Sequence, residues 1–125
     1  TLNIPALFMT GTLDTSVINN TQAEERLIPY RMMPGVSDGG SPKYQINFNG
    51  ADHMTFSGET KSRLRTKVSK EDNQAFHAII RQSTTAFLDS YLLNNEDAAQ
   101  WLNGNGFIGL VADRGEVERD TKQSN

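Results

Sequence analysis

The chain has 125 residues, enough for one domain with a modest core, and is 36% hydrophobic and 22% charged. That balance is globular rather than disordered or membrane-embedded, and no apolar run approaches the roughly 18 residues of a membrane span. A net charge of -3 disfavours nucleic-acid binding, and the absence of cysteine excludes disulfide frameworks, zinc-thiolate sites and thiol nucleophiles.

The apolar run at residues 4–10 reads as a buried strand with Pro5 near its start, where a missing N–H is tolerable. Residues 11–16 form a turn. Residues 21–27 suggest a short helix, with Thr21 as N-cap and Glu24 three residues on, the spacing of a capping box. Residues 33–42, rich in Gly, Pro and Ser, form a loop. Residues 43–49 alternate, with Tyr44, Ile46 and Phe48 on one side and Lys43, Gln45, Asn47 and Asn49 on the other. The polar face places this strand near a sheet edge.

A polar loop over residues 56–67 follows. The locally basic segment 61–70 (Lys61, Arg63, Arg65, Lys67, Lys70) reads as a solvated loop and helix entry, with a phosphate site as the rarer alternative. Ser69 then opens the clearest helix, and Asp72 in its first turn suits the N-terminal dipole. Phe76, Ile79, Ile80, Ser83, Phe87 and Tyr91 recur at helical spacing, one stripe about four turns long that must pack on something. Asn94 and Asn95 end it, and Asn95 caps a second helix over residues 96–102, closed by Gly104. Residues 107–112 suggest a late strand, residues 113–115 a turn, and the tail from Glu116 on a polar, frayed end.

Two of these strands end alike. Each apolar run reaches a Gly and then exposes a polar group, Asp14 in the first and His53 in the second. In a parallel sheet both positions fall outside the carboxyl ends of the strands, where open α/β sheets place reactive groups. An acid that orients a histidine is two thirds of a nucleophilic triad. The spacing of 39 residues from one to the other leaves room for a crossover.

The phrases PALFMTGTLDTS, GADHMTFSG and IIRQSTTAFLDSYL resemble the C-terminal segment of dienelactone-hydrolase-like α/β-hydrolases, over roughly residues 4–110. The resemblance implies an α/β fold: the C-terminal part of an α/β-hydrolase, with parallel strands, a helical crossover and a long C-terminal amphipathic helix. It implies that residues 1–125 form a single partial domain of a longer protein, a reading that the opening at Thr1 without Met also suggests. Asp14 would be the triad acid and His53 the base. The nucleophile elbow and oxyanion hole would lie upstream, outside this chain. The activity implied is carboxylic-ester hydrolysis without a cofactor. The partners implied are a small-molecule ester and the N-terminal remainder of the hydrolase domain or a homo-oligomer partner, with neither nucleic acid nor membrane. Compartment is left open.

Each residue has a plainer reading beside this one. Asp14 could bond its own loop backbone, as turn aspartates do, and His53 could be a surface-loop histidine. Asp52 is the rival acid, ranked lower because adjacent side chains rarely aim at one another. Met54 and Phe56, following His53, could line an acyl pocket. His77 reads as a solvated helix histidine, and Met32 and Met33 as packing. Ser16, Ser41, Ser57, Ser62, Ser69, Ser83 and Ser90 lack a Gly-x-Ser-x-Gly setting. Asp14, Asp52 and His53 have metal-ligand chemistry but no recognised ligand spacing, so no metal is expected. Asn19-Asn20-Thr21 is a glycosylation sequon of a kind that recurs by chance. The rival function is a remodelled hydrolase segment that binds or pairs without catalysing.

Overall fold

The computed structural model describes residues 3–16, 18–58 and 66–122. Strands β1 (Ala6–Leu13), β2 (Lys43–Asp52) and β3 (Gly115–Asp120) form one mixed sheet in the order β1-β2-β3. β1 runs parallel to β2 and β3 antiparallel to it. A 3-10 helix (Ala23–Leu27) and the short helix α1 (Ile28–Met32) lie between β1 and β2. Helices α2 (Lys70–Leu92), α3 (Glu96–Asn103) and α4 (Asn105–Val111) lie between β2 and β3. The architecture is therefore mixed α/β, with a three-stranded sheet and several helices.

The alternation after Pro42 explains the core. Tyr44, Ile46 and Phe48 are 0% exposed. They pack with Phe76 and Ile79 of α2, Leu102 of α3, and Phe107 and Val111 of α4, while Leu7, Met9 and Val117 flank them from β1 and β3. Each such side chain contributes about 1.5–3 kcal/mol by leaving water. Tyr44 meets the rings of Phe87, Tyr91 and Phe107 edge-on, and Phe48 meets Phe76 at 5.4 Å between centroids. The Tyr44 hydroxyl lies 2.7 Å from that of Tyr91 and donates to Asn103 Oδ1 at 2.9 Å.

The other face of β2 corrects the edge expectation. β2 is the middle strand, and Lys43 and Gln45 are nearly buried. Lys43 Nζ donates to the carbonyls of Tyr30 (3.0 Å) and Met33 (2.7 Å) and sits 4.4 Å over the Tyr30 ring. The cation thus satisfies carbonyls at the C-terminal end of α1, where a positive charge also suits the helix dipole. Lys43 is compatible with a central strand because these carbonyls accept its protons, whereas Gln45 Oε1 and Asn47 Oδ1 on the same face are buried without a hydrogen-bond partner. Burial, aided by nearby Glu118 and Asp120, pushes the Tyr30 phenol up to about 12.

Several boundaries move. The first short helix is capped one residue later than expected, by Gln22, whose backbone N–H donates to Glu25 Oε2 at 2.7 Å. The stretch 107–112 is mostly helix, not strand: Phe107 and Val111, four apart, bury one side of α4. The tail is not frayed at its start, because β3 pairs with β2 from Gly115 to Asp120. Its charged residues hide a strand whose stability comes from backbone pairing, from Val117 opposite Ile46, and from Arg119, which donates to the carbonyls of Leu102 (2.6 Å) and Gly104 (2.9 Å). Of the basic segment and the polar loop before α2, residues 59–65 lie outside the described residues, Ser62 among them. So do residues 123–125.

The long helix starts where expected, with Ser69 Oγ accepting from the Asp72 N–H at 3.0 Å. It is not the final element, since two helices and a strand follow it. Arg114, in the turn before β3, donates to Asp72 at 2.6 Å and holds that carboxyl below its usual range. Asn95 Oδ1 caps α3 through the Ala98 N–H. Among the described residues no helix is long and apolar enough to cross a membrane.

His77 is another correction. Far from being solvated, it is half-buried, and its Nε2 donates to the Thr55 carbonyl at 2.7 Å. Phe76→Ala, which empties a site only 2% exposed, should cost about 3–5 kcal/mol in a denaturant titration. His77→Ala should cost about 1 kcal/mol, the worth of one hydrogen bond to a buried carbonyl. Equal losses would mean that the helix packs on a different face.

Alkali should probe the same core. Burial and the bond to Tyr91 raise the Tyr44 hydroxyl above its ordinary range. Folding therefore favours the neutral phenol. That contribution is complete below the unfolded tyrosine value of about 10 and falls away as pH rises beyond it. Stability measured from pH 9 to 12 should fall, with a shallower slope in Tyr44→Phe than in the unaltered chain.

Candidate active site

The site forms where the β1–β2 register breaks. Gly11 pairs with Phe48, but the next pair is Leu13 with Asp52. A side chain on Gly11 could not fit, because its Cβ would lie 2.1 Å from the Ala51 carbonyl oxygen. Glycine therefore lets the two strands close up just before both chains turn. The Gly50 N–H also crosses over, donating to Thr12 Oγ1 at 2.9 Å. Past this point the chain of β1 folds back, with the Asp14 N–H donating to the Gly11 carbonyl at 3.0 Å.

Asp14 is 6% exposed. Its Oδ2 accepts from Thr10 Oγ1 at 3.2 Å, and its Oδ1 lies 3.0 Å from His53 Nδ1. A carboxylate only accepts, so Nδ1 carries the proton and a neutral ring presents Nε2 as a base. The His53 side chain is 69% exposed, so that face opens to solvent. Arg26, from the 3-10 helix ahead of α1, brings its Nε to 3.6 Å from the same Oδ1.

His53 opens a 3-10 helix (His53–Ser57), and its backbone is held by residues that do not touch the ring. Asp52 caps the turn: its Oδ1 accepts from the Thr55 N–H at 3.1 Å, and its Oδ2 accepts from Thr66 Oγ1 at 2.6 Å. Those bonds occupy Asp52 and leave Asp14 as the acid that faces the imidazole. Thr55, 1% exposed, donates its hydroxyl to Asn73 Oδ1 at 3.0 Å, and its carbonyl accepts from His77. The turn is therefore tied to α2 at two points.

A cavity of about 400 Å³ adjoins His53, bounded also by Thr12, Leu13, Asp52, Met54 and Lys67. Met54 stands in that wall. Phe56 does not; its ring lies 6.1 Å from that of Phe48 and packs on the core. With about three residues per turn in a 3-10 helix, residues two apart face different ways. Sequence reading had no signal for Thr10, Arg26, Thr55 or Asn73, whose roles arise only from long-range packing. Among the described residues no group of three or more His, Cys, Asp or Glu side chains is placed to hold a metal ion.

One serine does stand in the Gly-x-Ser-x-Gly spacing: Ser37, in Gly35-Val36-Ser37-Asp38-Gly39. The structure removes it from the site. It lies in a 3-10 turn (Val36–Asp38) with no strand before it, so the strand–turn–helix context of a nucleophile elbow is missing. Its N–H donates to Asp120 Oδ1 at 3.1 Å, and its hydroxyl is bonded to Asp120 Oδ2. Asp120 pairs with Lys43, at the opposite end of β2 from His53, a strand length of roughly 25–30 Å away. A Cβ on Gly35 would run into the Asp120 carboxylate, so the glycine serves close approach to that carboxylate. Ser57, close to His53 in sequence, donates to the Met54 carbonyl at 2.7 Å.

A fluorophosphonate probe, with modified residues located by mass spectrometry, should therefore leave Ser37 unlabelled. Ser37→Ala should cost about 1 kcal/mol of stability through its lost bond to Asp120. Stoichiometric labelling of Ser37 would contradict this placement. The chain matches no protein-family model, no curated protein and no solved structure, so the reading of this site rests on its own geometry.

Proposed function

We propose that this chain supplies the acid and the base of a Ser-His-Asp triad for carboxylic-ester hydrolysis, within an α/β-hydrolase-like protein of dienelactone-hydrolase-like type. The observation that carries the reading is the 3.0 Å contact between His53 Nδ1 and Asp14 Oδ1 at the carboxyl ends of two adjacent parallel strands. In the reaction, a serine from a part of the protein outside this chain attacks the acyl carbon. His53 Nε2 takes the hydroxyl proton and passes it to the leaving alcohol; a water that gives its proton to the same Nε2 then attacks the acyl-serine ester, and that proton goes to the serine oxygen as the carboxylic acid leaves. Asp14 holds the tautomer and stabilises the imidazolium. Met54 and the cavity beside it receive part of the ester.

A second reading has its own support. β1 ends the sheet, and its run from Ala6 to Leu13 carries no charged residue of the kind that protects exposed edges. Such an edge suits a pairing surface, whether for the rest of a hydrolase domain or for a second copy, and pairing alone requires no catalysis.

Turnover separates the cases. The isolated chain should hydrolyse a small activated ester no faster than buffer plus a surface-histidine control, because Ser37, the serine in Gly-x-Ser-x-Gly spacing, is bonded to Asp120 at the far end of the sheet. Joined to a segment that carries a Gly-x-Ser-x-Gly elbow, it should become active, and His53→Ala or Asp14→Ala should then lower kcat by several orders of magnitude. Turnover by the isolated chain that a serine-directed phosphonate abolishes would sink the assignment of the nucleophile to another segment. An active joined protein indifferent to His53→Ala would sink the triad.

A further inference from the structure

The geometry points to Arg26 as the cation that offsets the charge of Asp14 on His53, a role that rests on reading His53 as a general base. Two donors converge on a single oxygen. His53 Nδ1 lies 3.0 Å from Asp14 Oδ1, and Arg26 Nε lies 3.6 Å from it. The second separation is within ion-pair reach but longer than a hydrogen bond, and Nε is buried with no hydrogen-bond partner. A buried guanidinium N–H without a hydrogen bond is costly, and the ion pair with Oδ1 offsets part of that cost. The other carboxylate oxygen is occupied by Thr10. Asp14 therefore cannot rotate away from the ring without leaving Arg26 as well.

Charge gives the arrangement its consequence. A carboxylate alone beside an imidazole favours the protonated ring, which cannot accept a proton from a nucleophile. A fixed cation on the same oxygen offsets part of that field and favours the neutral ring. Other charges also face His53. Asp52 precedes it and is engaged by Thr55 and Thr66, and Lys67 borders the same cavity. His77 on α2 reaches the same turn through the Thr55 carbonyl. Arg26 differs from all of these in touching the carboxylate that touches the ring.

The experiment is an NMR titration of the imidazole protons of the whole chain, with His77 as an internal reference. In Arg26→Gln the His53 midpoint should move to higher pH relative to that of His77, because one fixed positive charge near the carboxylate is gone. A midpoint that is unchanged or lower overturns the inference; the lower value would mean that Arg26 only props the carboxylate in place. Should Arg26→Gln fail to fold, the unaltered chain decides. The Arg26 Nε–H resonance should shift through the same midpoint as His53, and a resonance indifferent to that titration overturns the inference. Asp14→Asn is the separate check on the pair itself. It should lower the His53 midpoint, and no change there would remove the general-base reading whatever Arg26 does.

Discussion

The pairing of β1 with β2 is the constraint on which the site depends. It sets Asp14 and His53 39 residues apart in sequence and 3.0 Å apart in space. Parallel pairing aligns the strand ends, and Gly11 lets the strands close where a side chain would strike the Ala51 carbonyl. The pairing in turn needs β2 to be fixed. Tyr44, Ile46 and Phe48 do that by burying one face completely against three helices, and a shift of one residue would turn all three toward the opposite face. Core packing thus sets the register, and register sets the site.

Much of this was legible because strong local signals agreed with the global packing. The apolar run of β1, the alternation in β2, the Ser69 and Asn95 caps and the stripe beginning at Phe76 each had one dominant physical cause. Asp14 and His53 were legible for a related reason, since each follows a glycine at the end of an apolar run. The failures came where one cause outweighed another. Residues 105–111 carry three glycine or asparagine residues that weaken a helix signal, yet Phe107 and Val111 find the core only in helical spacing. β3 has the composition of a solvated tail, and no window within it reveals that Ile46 and Arg119's carbonyl acceptors stand opposite. The polar face of β2 looked like an edge because the carbonyls that satisfy Lys43 come from another element.

Ser37 shows the limits of a motif in a different way. Gly35-Val36-Ser37-Asp38-Gly39 has the spacing of a nucleophile elbow, and its neighbouring chain has none of the structure. What the spacing encodes here is a turn tight enough to approach a carboxylate, and Asp120 fills it. The physical content of the hydrolase motif is a strained turn between a strand and a helix, and that content has to be found before the letters acquire meaning.

The two members of the pair are held in contrasting ways, and the contrast suits their chemistry. Asp14 is buried, and both its oxygens are engaged, by Thr10 on one side and by His53 and Arg26 on the other. His53 has a mostly exposed ring on a backbone that is firmly tied: Asp52 caps its turn, Thr66 holds Asp52, and Asn73 and His77 bind Thr55 from α2. Under the proposed triad, His53 would accept a proton from one group and deliver it to another, which asks for an open Nε2 and some freedom in the ring. The acid that orients it needs neither. Fixing the carboxylate through its side chain and the imidazole through its backbone is compatible with both conditions, and Asn73 and His77 are the polar groups by which α2, otherwise bound to the core by Phe76 and Ile79, holds that backbone.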